Sequence, residues 1–363
     1  MRRLALILII ILVPTHLIYG QQFTLETALS STVKESSGLL YLNNTLITHN
    51  DSENSNQLYD IDASNGNVLR TVTISNATNI DWEDLTYDDS YIYIGDFGNY
   101  QGDRTNLRVY RVAIADYFAS TNVTADIINF NYSDQTDFTP NPLATNYDAE
   151  GLIHYNNNLY VFSKNWMDGN TNIYELPKTV GSHNISIIDT VVAQGLVSGA
   201  TYNALTNTIV LTGYSFNGSF LIELSGFNSG LFSNGTVTKT SIEPPTDYST
   251  QIEAIFPINT NEYYITAEEN GSSSSGLYSF NTATLETSES ENIDFGFYPN
   301  PAQTHFKLNR DDLKTEIYSL TGQLLRRSKE QYIDVTDLPE GIYILKIQHN
   351  SGKEIAKRLI IYR

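Results

Sequence analysis

A short strand opening on Ser or Glu recurs five times along the chain: SGLLYL (37–42), EDLTYD (83–88), EGLIHY (150–155), SGATYN (198–203) and EAIFPI (253–258). A second apolar strand follows each: TLITHN (45–50), YIYIGDF (91–97), LYVFSKN (159–165), TIVLTGY (208–214) and EYYITAE (262–268). A third comes at QLYDID (57–62), LRVYRV (107–112), NIYELP (172–177), FLIELS (220–225) and GLYSFN (276–281). Four units show a fourth strand, at LRTVTI (69–74), DIINFN (126–131), ISIIDTVV (185–192) and GTVTKTSI (235–242). Units of roughly fifty residues with four short strands predict the blades of a β-propeller. The fifth unit lacks a fourth strand of its own, and FTLETA (23–28) precedes the first repeat much as LRTVTI precedes the second. The ring is therefore expected to close by pairing the two ends of the body, which covers otherwise open edges. That gives five blades, with slack in 104–148 and 281–293 for a sixth. A stack of β-sandwich domains is the competing architecture, but such modules do not usually repeat their strand order at so short a period.

Charge divides the chain where the repeats stop. The whole carries 21 Lys/Arg against 41 Asp/Glu, yet residues 294–363 carry 11 against 9, so residues 1–293 carry 10 against 32. A strongly acidic body disfavours nucleic acid and anionic membranes as partners. At the start, Arg2 and Arg3 precede an apolar run from Leu4 to Val13, then Pro14 and Gly20. This is the pattern of a signal peptide over 1–20, too short for a membrane helix. With no cysteine, neither a disulfide framework nor a lipoprotein anchor is expected. The divisions expected are thus 1–20 signal peptide, 21–281 propeller, 282–293 linker and 294–363 a small C-terminal domain.

The C-terminal segment reads as a small β-sandwich. Ile317-Tyr318-Ser319-Leu320 runs into a turn at Thr321-Gly322, Gly341–Ile347 is rich in β formers, and Asn350-Ser351-Gly352-Lys353 turns into a last strand. The segments FYPNPAQ (297–303), IYSLTGQLL (317–325), IDVTDLPEGIYILKI (333–347) and KRLIIY (357–362) stand in an order and spacing that resembles the type A sorting domain of the type IX secretion system of Bacteroidetes. The resemblance spans the whole tail. It implies Pro299, Asn300, Pro301, Gly322, Gly341, Lys357 and Arg358 as sorting-signal residues. It also implies the secretion machinery and its sortase as partners, and a secreted or outer-membrane surface location.

Propeller topology predicts where a site would form. Inner strands begin, and second strands end, on one face of the disc, around the mouth of the central channel. Ser37, Glu83, Glu150, Ser198 and Glu253 stand at the inner-strand starts; His49, Asp96, Lys164, Tyr214 and Glu268 stand at the second-strand ends. Asn50, Asp51, Asn99, Asn165, Trp166 and Glu269 follow on the loops. Calcium takes six to eight oxygen ligands, so Glu83, Glu150 and Glu253, with Asp96 or Glu268, are candidate metal ligands. Alternatively, each Glu accepts backbone hydrogen bonds and ties its blade to a neighbour. His49, Asp96, Lys164, Trp166, Tyr214 and Glu268 are expected to face a ligand on the rim. Trp82, in Asp81-Trp82-Glu83-Asp84, reads better as a packing anchor than as a ligand platform. No HxxxH or HxH pair and no GxSxG elbow occurs, which disfavours zinc and an α/β-hydrolase site. Asp189-Thr190-Val191 matches a three-residue O-glycosylation pattern that arises often by chance.

The body also resembles extracellular propellers of Bacteroidetes and, more distantly, gluconolactonase-type and phytase-type propellers, whose metal-binding carboxylates sit at such a rim; their ligands cannot be matched residue by residue. The functional expectation is a secreted or surface module that binds glycan, protein or a small molecule through the acidic rim. A calcium-dependent hydrolase of phosphoesters or lactones on the same rim is the alternative, and a purely structural surface component is the third.

Overall fold

The computed structural model describes residues 21–215, 218–228, 230–243, 251–268, 275–282, 297–319, 323–349 and 354–362. The expected signal peptide, Glu269, Gly322 and the linker beyond Thr282 lie outside the described residues. Two compact units divide the chain, Met1–Thr284 and Leu285–Arg363. Among the described residues both are built almost wholly of strands, with one short α-helix, Ile114–Ala119, and two single 3-10 turns, Ser31–Val33 and Phe232–Asn234.

Five sheets make up the first unit, each starting from an inner strand: Ser36–Leu42, Trp82–Tyr87, Ala149–Tyr155, Leu196–Asn203 and Ile252–Pro257. From each, the next strands in sequence add antiparallel and outward. Two connections from inner to second strand are two-residue turns. Asn43-Asn44 and Asn156-Asn157 hold both residues at positive φ, 51° and 61° in the first turn and 45° and 70° in the second. That conformation suits hairpin twist, and Asn tolerates it better than most residues. The fourth strand of the fifth sheet is Thr24–Ala28, which pairs antiparallel with Gly276–Asn281. Each inner strand packs beside two others, in the cyclic order first, second, third, fourth, fifth, first.

Second strands carry runs in which consecutive residues are buried, such as Ile92–Ile94, Leu159–Phe162 and Ile209–Leu211, because the sheets bury both faces and successive residues face opposite sides. In the second sheet Ile92 and Ile94 join the core shared with the first sheet, while Tyr93 joins the core shared with the third. Leu159 and Val161 of the third sheet face the second, while Tyr160 and Phe162 face the fourth. Ile209 and Leu211 face the third sheet and Val210 the fifth. The cores therefore lie between adjacent sheets.

Two details differ from the sequence reading. The run 185–192 is not one strand: Gly181–Ile185 pairs in parallel with the outer strand of the second sheet, and Ile187–Val191 completes the third. Residues 104–148, which had room for another blade, instead supply the outer strands of the second sheet, the short helix, and Asn122–Val123 on the edge of the first sheet.

The second unit has two sheets around one core. Phe297–Tyr298, His305–Leu308 and Tyr332–Asp334 form one; Leu324–Ser328, Leu313–Tyr318, Gly341–His349 and Glu354–Ile361 form the other. Phe306, Leu308, Ile317, Val335, Leu345 and Ile347 fill the space between. The first and last motif segments meet. The Asn300 side chain donates to the Arg358 carbonyl at 2.9 Å and accepts from the Ile360 N–H at 2.8 Å. Pro299 and Pro301 flank this clamp, each after a cis peptide bond. Gly341 opens its strand at φ 155°, and of the basic pair Lys357 is half-buried and Arg358 exposed.

Candidate functional site

Every inner strand of the first unit carries a bulge at the same place. Trp82 pairs with Asp96 and Asp84 with Gly95, leaving Glu83 as the extra residue. The same two-against-one count leaves Glu150 between Ala149 and Gly151, Ser198 between Val197 and Gly199, and Glu253 between Ile252 and Ala254. In the first sheet the shift falls between Ser36 and Leu39, so Ser37 and Gly38 share it. A bulge re-aims the side chain it carries, so the five residues at the strand starts share one backbone device. The side chains then diverge in role. Ser37 Oγ donates to the Glu83 carbonyl at 2.6 Å and Ser198 Oγ to the Ile252 carbonyl at 2.6 Å, each fastening its sheet to a neighbour. The three glutamates instead line a cavity of about 540 Å³.

That cavity gathers Asp51, Asp81, Glu83, Asp148, Glu150 and Glu253, with Lys164, Arg104, Trp166 and Tyr214. Lys164 Nζ donates to Glu150 Oε1 at 3.0 Å and stands 5.2 Å from the Trp166 ring and 5.3 Å from the Tyr214 ring. Asp148 accepts from the Asn99 N–H at 2.5 Å and from Trp166 Nε1 at 2.7 Å. Glu253 accepts from the Gln251 amide. Glu83 is 7% exposed, and among the described residues no donor reaches its carboxylate. Gly98 makes room for it: a Cβ there would stand 1.9 Å from Glu83 Oε1.

So many carboxylates in one buried space hold their protons tightly. Burial, reinforced by Glu150 and Asp51, raises the Glu83 pKa well above the usual range. Burial together with Asp51 lifts Asp81 to about 7, and burial lifts Asp51 to about 6. Glu253 rises through burial and Glu268; Glu150 rises through burial although Lys164 opposes it. Lys164 itself is pulled down by burial, but Glu150 and Glu253 outweigh that and hold it well above the ordinary lysine value.

Not every expected rim residue faces the cavity. Lys164, Trp166 and Tyr214 do. His49 is fully buried: its Nε2 accepts from the Gly38 N–H at 3.2 Å, its Nδ1 lies 2.9 Å from the Asn50 carbonyl, and its ring meets Trp82 edge-on. Burial lowers its pKa to about 4, so it is a neutral packing group. Asp96 is equally buried and turned to Arg104 at 2.8 Å and Arg108 at 3.7 Å. Glu268 is outside the lining; its Oε1 is buried with no hydrogen-bond partner among the described residues, and burial and Asp51 lift it to about 8. Trp82 is fully buried, with Nε1 donating to the Thr78 carbonyl.

The inner-strand pattern alone misses Asp81 and Asp148 as site members. Their signal is an Asp two residues before a bulge glutamate, Asp81-x-Glu83 and Asp148-x-Glu150, with Gln251-x-Glu253 as a third case. Asp84 is also missed: its carboxylate, deep between the inner strands, accepts from the N–H groups of Leu85, Leu152 and Ala200, tying three sheets together.

The sequence profile of the secretion system C-terminal sorting domain family matches residues 296–362. The tail is a sorting domain. Its family implies a secreted or cell-surface destination and contact with the type IX secretion machinery. No curated protein matches the chain. Solved structures resemble it distantly. An α-L-arabinofuranosidase from Podospora anserina, crystallised with cellotriose, is 9% identical with a TM-score of 0.43, over 73% of this chain and 98% of that one. A β-xylosidase/α-arabinofuranosidase from a compost metagenome is 8% identical with a TM-score of 0.42, over 72% and 94%. The extracellular domain of a putative one-component system of B. thetaiotaomicron is 10% identical with a TM-score of 0.34, over 95% of this chain and 59% of that one. Likeness at this level carries no argument about activity. No helix among the described residues is long and apolar enough to cross a membrane.

Proposed function

We propose that this chain is an exported five-bladed β-propeller, with the sorting domain as a C-terminal β-sandwich. Its acidic channel mouth holds a divalent cation of the calcium type and recognises a ligand there. The blade count rests on the five sheets, the cyclic order of their inner strands and closure by Thr24–Ala28.

One observation carries the site: Glu83, more than nine-tenths buried, points an unpartnered carboxylate into a cavity where Asp51, Asp81, Asp148 and Glu150 converge. A charge so placed needs a counter-ion or a proton. Oxygen donors alone, from several carboxylates, suit a hard cation. Trp166 and Tyr214 supply aromatic faces beside it, of the kind that pack against a sugar ring or an apolar group. These features support a binding module; nothing in the donor set singles out a nucleophile.

Calcium added to chelator-stripped protein is expected to raise the melting temperature, since a ligand at one hundred times its Kd adds about 2.7 kcal/mol. The stabilisation should disappear in Glu83→Gln. An unchanged melting temperature in calcium and magnesium alike sinks the cation reading. A glycan array run with and without chelator, on wild type and Trp166→Ala, then tests the ligand.

A further inference from the structure

Two sets of three carboxylates meet in the mouth, Asp51, Asp81 and Glu83 on one side, Glu83, Asp148 and Glu150 on the other. Within each set the ligand oxygens lie within 4.8 Å of one another. Oxygens bound to one calcium at about 2.4 Å can stand at most about 4.8 Å apart across it. Each set is thus sized for one ion, and Glu83 is the sole member common to both.

We infer that the mouth is a two-cation site in which the Glu83 carboxylate bridges the ions, one oxygen toward each. The inference rests on the cation reading above and sharpens it. Three features carry it. Glu83 is buried, lines the cavity and has no donor among the described residues, so both its oxygens are available. Its partners come from different elements: Asp51 follows the second strand of the first sheet, Asp81 precedes the inner strand of the second, and Asp148 and Glu150 start the third. Glu83 lies where these meet.

The third feature is charge. With their protons displaced by bound cations, the five carboxylates sum to −5, Glu253 in the same cavity adds −1, and Lys164, on Glu150 at 3.0 Å, returns +1. Arg104 is taken by Asp96 at 2.8 Å. Two divalent cations reduce the remaining −5 to −1, whereas one would leave −3 among carboxylates that are half-buried or buried. Asp148, fixed by Asn99 and Trp166, keeps its oxygens in place for the second ion.

The test is a calcium count on the full chain, stripped with chelator and titrated calorimetrically in about 150 mM KCl, which screens loose binding to the acidic surface. Two calcium ions per chain are expected. Asp51→Asn and Asp148→Asn should each leave one, and Glu83→Gln should weaken both by at least tenfold. One ion per chain in the wild type overturns the pair while leaving a single-cation mouth intact. No binding overturns both. The wild-type count needs no variant, so a substitution that unfolds the chain does not shelter the inference.

Discussion

Asp88 shows how far a single carboxylate depends on its partners. It ends the run of the second inner strand and accepts from Lys178 Nζ at 2.7 Å, Tyr93 OH at 2.8 Å, and the N–H groups of Ser90 and Tyr91 at 2.8 Å. Burial alone pushes its pKa up, but Lys178 and the other donors outweigh that and hold it at about 2. The folded-state value lies below that of the unfolded chain, so the stabilisation is present above about pH 4 and is lost as the pH falls toward 2. Asp88→Asn should therefore be less stable than wild type at pH 6, and the gap in urea midpoint should close between pH 4 and 2; a gap constant over that range contradicts the assignment. Legibility at this scale was uneven. Glu83, Glu150 and Glu253 stood out because they repeat at one strand position. Asp81 and Asp148 did not, because they lie just outside the strands, where repetition is masked by loops of different length. His49 and Asp96 occupy the expected positions, yet one packs on Trp82 and the other pairs with Arg104. Sequence position alone does not tell which way such side chains turn.

Among elements, the inner strands carry the joinery. Asp84 accepts N–H bonds from Leu85 at 2.8 Å, Leu152 at 2.8 Å and Ala200 at 3.3 Å, so one carboxylate ties the second, third and fourth sheets. Each orphaned buried N–H costs about 1–3 kcal/mol. Asp84→Ala is therefore expected to lower unfolding stability by about 3 kcal/mol or more, and Asp84→Asn, which keeps an acceptor, by less; equal losses in urea titrations argue against the three-way tie. Ser37 and Ser198 perform similar fastening with one bond each. Most strands were legible because burial on both faces favours short runs of consecutive apolar residues, as in Tyr91–Ile94 and Leu159–Phe162. The bulges were not, since one extra residue in a strand leaves no compositional trace. The outer strands were blurred for a related reason: Gly181–Ile185 and Ile187–Val191 read as one polar-apolar stretch, yet Ser186 separates two strands that join different sheets.

At the scale of the whole molecule, charge and export belong together. The acidic body carries the cavity, and the near-neutral tail from Asp294 carries the sorting profile. In the first unit Thr24–Ala28 pairs with Gly276–Asn281, and the cores lie between adjacent sheets. The second unit has its own core between two sheets. Among the described residues each core is built from its own unit, so the first should fold without the tail. A chain ending at Asn292, expressed in its native host, should then retain a cooperative melt and calcium-dependent stabilisation while failing to leave the periplasm. Fractionation decides the export half and a thermal melt the folding half. Normal appearance of the shortened chain at the surface or in the medium would remove the sorting role from the tail. An unfolded shortened chain would show instead that the acidic unit depends on the segment that follows it.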